Sequence, residues 1–179
     1  MKVSLFKLAV FCTLAAACTV AGPATFPQND LSLNVTIITS EHSRDSHSST
    51  TTLRVSGNTL VYEETYHGAR ADRNPPVKKE YELTNDDRNR LIGLLNDKAL
   101  LTTKTISRST GQEGPSRDFK LSIAAKLAGK EGDISISAPR TAVELKTDPL
   151  YQGSVALIAE LYRIINRTDR HVRFSDLIN

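Results

Sequence analysis

Residues 41–47, Glu-His-Ser-Arg-Asp-Ser-His, gather two His and two acids within seven positions. His42, Asp45 and His47 carry the imidazole and carboxylate groups that ligate Zn²⁺ and related ions. A metal site needs its ligands fixed to within tenths of an ångström, and a Ser-rich stretch without Gly or Pro is a poor holder. The segment therefore reads as a solvated hairpin loop with His42, Asp45 and His47 as its candidate ligands, and no cofactor is expected. His67 with Asp72 is a second, fainter combination of the same kind.

Other routes to catalysis find little support. Glu63 and Glu64 are neighbours in an expected strand, so their side chains point to opposite faces and cannot share a substrate. Asp86 and Asp87 fit the start of a helix, where the dipole favours negative charge, although Glu80 or another distant acid could join them in three dimensions. Gly153-Ser154 lacks the second half of a G-x-S-x-G elbow and falls inside an expected helix. Gly129-Lys130-Glu131-Gly132 reads as a hairpin turn, not as a phosphate-cradling loop that opens a helix. Ser4-Leu5-Phe6-Lys7 matches S-x-x-K by letter within an expected leader segment. No catalytic residue is assigned.

Arg163, Arg167, Arg170 and Arg173 are spaced by four, three and three. On a helix continuing past Asn166 they would form one basic face for an acidic partner or an anionic lipid surface. The local alternative is that they answer the negative end of the last helix's dipole. Nucleic-acid binding is not expected, because clustered basic residues interleaved with exposed aromatics are missing. Asn34-Val35-Thr36 and Asn166-Arg167-Thr168 are glycosylation sequons by letter, meaningful only in a eukaryotic secretory pathway.

Lys2 and Lys7 precede an apolar run from Leu8 to Ala17 that ends in small residues. This is the pattern of a cleaved secretory signal, and the run is too short to cross a bilayer as a helix. Leu14-Ala15-Ala16-Ala17-Cys18 resembles the lipobox of bacterial lipoproteins, with Ala15 where Leu is commonest. The resemblance covers this segment alone and implies Cys18 as a lipidated first residue. Ordinary cleavage after Cys18 or Ala21 is the competing outcome, because small residues also stand at the positions that peptidase reads. Residues 1–18 are thus the expected signal, 19–30 a tether, 31–166 one globular domain and 167–179 a tail.

The globular part shows two periodicities. Leu31, Leu33, Val35 and Ile37 alternate with polar residues as in a half-buried strand. Segments 51–55, 59–66 and 77–83 continue the pattern, with Gly57-Asn58 as a hairpin turn and 40–50 and 67–76 as polar loops. Thr84 to Asp87 forms a capping box with Asp for Glu, opening a helix whose apolar side is Leu91, Ile92, Leu94 and Leu95. A weak strand at 104–107 precedes the clearest one, Phe119 to Leu127, and its partner around Ile134 and Ile136. Asp148-Pro149 supplies an N-cap and a first-turn Pro for a final helix that is apolar over more than half its circumference. The expected class is α+β, an antiparallel sheet of about six or seven strands with two helices packed on one face.

Composition agrees with one soluble domain: 179 residues, 39% hydrophobic and 24% charged, with no Trp and two Cys. Both Cys fall at or before residue 18, so the mature domain has no disulfide. Removal of Lys2 and Lys7 with the signal brings the formal charge from +3 to +1. These features lead to an exported, non-enzymatic binding or envelope-accessory domain, periplasmic, outer-membrane-tethered or secreted. Its partner is expected to be a protein or envelope component, met through loops 40–50 and 67–76, with membrane contact only through a lipid anchor. The alternatives are an inhibitor of an exported hydrolase, or a hydrolase or metal-dependent enzyme with a dispersed His/carboxylate site. A pocket of a few hundred Å³ with converging His and carboxylates favours the enzyme; a filled core with long loops favours the binder.

Overall fold

The computed structural model describes residues 30–43, 46–69, 71–109, 116–170, 172 and 174. The chain is α+β. In order, its elements are β1 (Ser32–His42), β2 (His47–Ser56), β3 (Thr59–Gly68), β4 (Val77–Glu82), α1 (Asn85–Asp97), β5 (Thr103–Ser107), β6 (Ser116–Leu127), β7 (Lys130–Pro139) and α2 (Pro149–Asn166). Short 3-10 turns at Ala71–Arg73 and Val143–Thr147 complete it. The expected signal, Cys18 and residues 19–29 of the tether lie outside the described residues. Among the described residues no helix is long and apolar enough to cross a membrane.

The strands form a single sheet in the order β4-β3-β2-β1-β6-β7-β5. Alternation works as the sequence suggests: Leu33, Val35 and Ile37 of β1 are buried while Ser32 and Asn34 are exposed. Strand β6 repeats this with Phe119, Leu121, Ile123, Ala125 and Leu127. Both helices add their apolar sides to the same core cluster, so one sheet face is covered and the other is wet. Leu91 and Leu95 of α1, and Leu157, Ile158 and Leu161 of α2, are fully excluded from solvent.

Caps fix where the helices start. The Thr84 hydroxyl accepts from the Asp87 N–H at 3.2 Å, and the Asp87 carboxylate accepts from the Thr84 N–H at 2.9 Å. Asp148 caps α2 by accepting from the Leu150 and Tyr151 N–H groups, while Pro149 takes the first helical position, where no N–H is needed.

Three expectations are corrected. First, the sheet is not wholly antiparallel, because β5 pairs with β7 in parallel. Strand β4 is at one edge and β5 at the other, so residues 84–102 carry the chain across six strand spacings, roughly 29 Å. A helix as long as α1 covers about 20 Å of that, and the crossover delivers β5 running in the direction of β7.

Second, residues 40–42 and 47–50 are strand rather than loop. Ser40, Glu41 and His42 pair with β2 or β6, and the ladder satisfies their backbone without any apolar side chain. Only 43–46 connect β1 to β2, where the Ser46 hydroxyl donates to the Ser43 carbonyl at 3.0 Å. His67 and Gly68, likewise placed in a loop by the sequence, extend β3 opposite Ser48 and His47.

Third, the β6–β7 turn is Ala128-Gly129, with φ of 49° and 77°. Such two-residue turns with positive φ match the twist of the strands they join. Gly132 is therefore inside β7, paired with Ala125.

Candidate functional site

The helix-covered face of the sheet changes character along its length. Tyr162 of α2 meets Tyr62 edge-on, with ring centroids 6.3 Å apart, and Tyr151 lies 6.1 Å from Phe119. Beyond these rings the inward-facing positions turn polar. Register builds two adjacent rows there: Tyr66, Ser49, Thr39 and Phe119 across β3, β2, β1 and β6, then His47, Glu41 and Arg117 across β2, β1 and β6. Arg140, just past β7, joins the second row, its N–H donating to the Arg117 carbonyl at 2.7 Å.

Apart from the buried Phe119, these residues line a cleft of about 290 Å³ together with Ser40. Glu41 is its electrostatic centre. One carboxylate oxygen lies 3.3 Å from Arg117 Nη2 and the other 3.4 Å from His47 Nε2. The His47 side chain keeps 15% of its exposure and Arg117 57%, so the imidazole sits deeper and the guanidinium at the rim. Thr39 and Ser49 hydroxyls are 2.7 Å apart.

Glu64 marks the border between cleft and core. It accepts from the Tyr62 hydroxyl at 2.7 Å and from the Tyr66 hydroxyl at 2.9 Å. Burial, then the Glu64 charge, pushes the Tyr162 phenol up to about 12, and burial with the Glu64 hydrogen bond raises Tyr62 further still. These phenols stay protonated across the physiological range, and Tyr62 and Tyr66 act there as hydrogen-bond donors.

The candidate metal ligands are not brought together. Glu41 pairs with His47 and shares its face, so His42, one residue on, points to the opposite face, where it lies 3.6 Å from Asp118. Asp45 lies outside the described residues, and among them no cluster of three or more His, Cys, Asp or Glu could hold a metal. His67 pairs with Ser48 on the outer face, and Asp72 is exposed in a 3-10 turn. Glu63 and Glu64 do face opposite ways: Glu63 meets Arg54 on the outer face at 2.9 Å. Glu80, opposite Val61, is also on the outer face, away from Asp87.

The arginine stripe does not assemble as a free basic face. Helix α2 stops at Asn166, and Arg163 and Arg167 both turn to Asp87 of α1, at 2.8 and 2.6 Å. Arg163 also forks onto Glu160. Arg170 is exposed in the turn beyond the helix, and Arg173 lies outside the described residues. Phe174 packs on Tyr162 of α2 with centroids 5.3 Å apart, so the chain lies against the helix at that point. Asn34 is exposed on the outer face of β1, whereas the Asn166 side-chain oxygen is buried without a hydrogen-bond partner.

Fold and cleft together define an α+β domain whose helix-covered sheet ends in a polar, cation-bearing cleft. No protein-family model matches the chain, and no curated protein matches it.

Proposed function

We propose that this is an exported binding or envelope-accessory domain that meets a protein or envelope partner at the open end of its sheet. The observation that supports it is the convergence there of Ser43 and Ser46, the end of β3 and the polar cleft, beyond the apolar core. Binding surfaces are commonly built this way, from strand ends and connections held by a rigid sheet. The export half rests on the leader-like residues 1–18 and on the lipobox-like approach to Cys18. If Cys18 is lipidated, labelled palmitate is incorporated in the native host and lost in Cys18→Ala; an unlabelled, freely released protein restricts the proposal to simple secretion.

Partner binding is tested by crosslinking in the native host with two surface variants. Glu41→Gln/His47→Ala is expected to lose the partner, and Lys126→Ala on the outer face to keep it. Equal retention by both variants overturns the placement of the surface.

A second reading, a hydrolase with a His/carboxylate site, draws support from the Glu41–His47 pair in the cleft, since these groups can exchange a proton with a bound substrate. Turnover of an ester or phosphoester substrate that disappears in His47→Ala would select it over pure binding.

A further inference from the structure

Strand β4 has a partner on one side only. It begins the order of the sheet, and among the described residues no strand pairs with its free edge. The Leu83 N–H donates to the Asn58 carbonyl at 2.8 Å, and in an antiparallel ladder successive residues turn their backbone groups alternately towards and away from the partner strand. Val77, Lys79 and Tyr81 therefore bond to β3, while Lys78, Glu80 and Glu82 direct their N–H and C=O groups outwards. The Glu82 carbonyl fits this phase, since it accepts from Arg167 Nη2 at 3.4 Å. A row of unpaired backbone groups is a template for another strand.

The side chains narrow down which strand that is. Lys78, Glu80 and Glu82 share the outer face with Glu63, Val61 and Thr59. Glu80 is exposed, and among the described residues its side chain makes no ion pair or hydrogen bond. Lys78 reaches Glu63 at 3.5 Å but stays 63% exposed, open to a second carboxylate. On the helix-covered face, Val77 and Tyr81 are only partly buried against the core, and a groove of about 910 Å³ runs beside β4 to the end of α2. Lysines on an edge usually repel a second strand, but the Lys79 ammonium is held by Asp169.

Strand β4 is complementary to itself when reversed. With Lys79 opposite Lys79 of a second copy, Lys78 stands opposite Glu80 and Glu80 opposite Lys78, and these are residues whose backbone groups point outwards. Each such pair exchanges two backbone hydrogen bonds and sets opposite charges side by side. On the other face Val77 meets Tyr81 in both directions. The ends fit too: Glu82 falls opposite Pro76, which has no N–H to offer the carbonyl that Arg167 already occupies. Sliding the copies by two residues either way sets Glu80 against Glu80 or Lys78 against Lys78.

We propose that β4 is a self-association edge, where two copies of this chain join their sheets antiparallel in the register that pairs Lys78 with Glu80. This goes beyond the reading of the open end and does not depend on what the cleft binds.

The test is sedimentation equilibrium of the purified protein up to millimolar concentration, because one six-residue strand from each copy makes a small interface of the weak class. A monomer–dimer equilibrium is expected in the wild type. Lys78→Glu and Glu80→Lys are each expected to weaken it by tenfold or more. Their equimolar mixture is expected to dimerise at least tenfold more tightly than either variant alone, since every 78–80 pair is then again of opposite charge. Hydrogen exchange gives a second readout: the Lys78, Glu80 and Glu82 amides should slow as concentration rises. A protein that stays monomeric leaves the edge to a different partner and overturns the proposal. A dimer indifferent to both charge changes, or a mixture no tighter than its components, overturns it as well. Protection of the three amides already in the dilute monomer assigns the edge to a segment of the chain itself, with the same consequence.

Discussion

Asp87→Ala is expected to cost roughly 3 kcal/mol of folding stability, and Asp87→Asn about 2 kcal/mol. Its side chain is only 2% exposed and serves two roles at once. It closes the capping box on Thr84, and it receives Arg163 and Arg167 from α2, tying the start of one helix to the end of the other. Alanine removes both roles and leaves two guanidiniums facing a buried gap; because each is about 40% exposed, water recovers part of the loss. Asparagine keeps the shape and loses the charge.

The same carboxylate makes stability depend on pH. Burial opposes its charge, but the Thr84 hydroxyl, the Thr84 N–H and the two arginines outweigh burial and lower its pKa from 3.8 to about 2. A folded pKa below the unfolded one means that the stabilisation is complete above about pH 4 and is lost as pH falls towards 2, amounting to about 2 kcal/mol. Urea unfolding of wild type and Asp87→Asn should therefore converge between pH 4 and pH 2. A gap under 1 kcal/mol at pH 7, or one that persists unchanged at pH 2, would rule this account out.

What was legible in the sequence was local. The alternation of β1 and β6, the Thr84 and Asp148 caps and the apolar breadth of α2 each depend on residues within one element, and each appears where the pattern puts it. The second half of β1 was not legible, because Ser40, Glu41 and His42 are held by ladders to β2 and β6 rather than by burial of apolar side chains. The parallel β5 escaped for a related reason: its place depends on how far α1 carries the chain, which periodicity does not encode. The cleft draws residues 41, 47, 66 and 117 from four strands aligned by register, and residue 140 from just past a fifth. His47 stood out in the sequence beside His42, yet the pleat separates those two and gives His47 to Glu41 instead. The arginine spacing was visible, but its partner Asp87 is 76 residues from Arg163 in the chain.

Gly132→Ala is expected to destabilise the domain by roughly 3 kcal/mol, the upper end of what overpacking a well-filled interior usually costs. A Cβ at this position would stand 2.4 Å from the Leu100 carbonyl oxygen and 2.8 Å from both Leu101 Cα and Thr102 N. All three are backbone atoms, so no rotamer change relieves the contact. The Thr102 carbonyl accepts from the Asp133 N–H at 2.9 Å and Leu100 is fully buried, so the segment is held at both ends and cannot simply lift away. Displacing it would also disturb β5, which starts one residue later and pairs with β7 through Thr103 and Asp133. Gly93→Ala makes the opposite prediction from the same chemical change. Gly93 is inside α1 and a Cβ there meets nothing within 4 Å, so alanine should stabilise by about 0.5–1 kcal/mol through helix propensity and a less flexible unfolded chain. Denaturant midpoints of the two variants should move in opposite directions; equal shifts would mean that the 100–102 backbone does not lie against β7 as described.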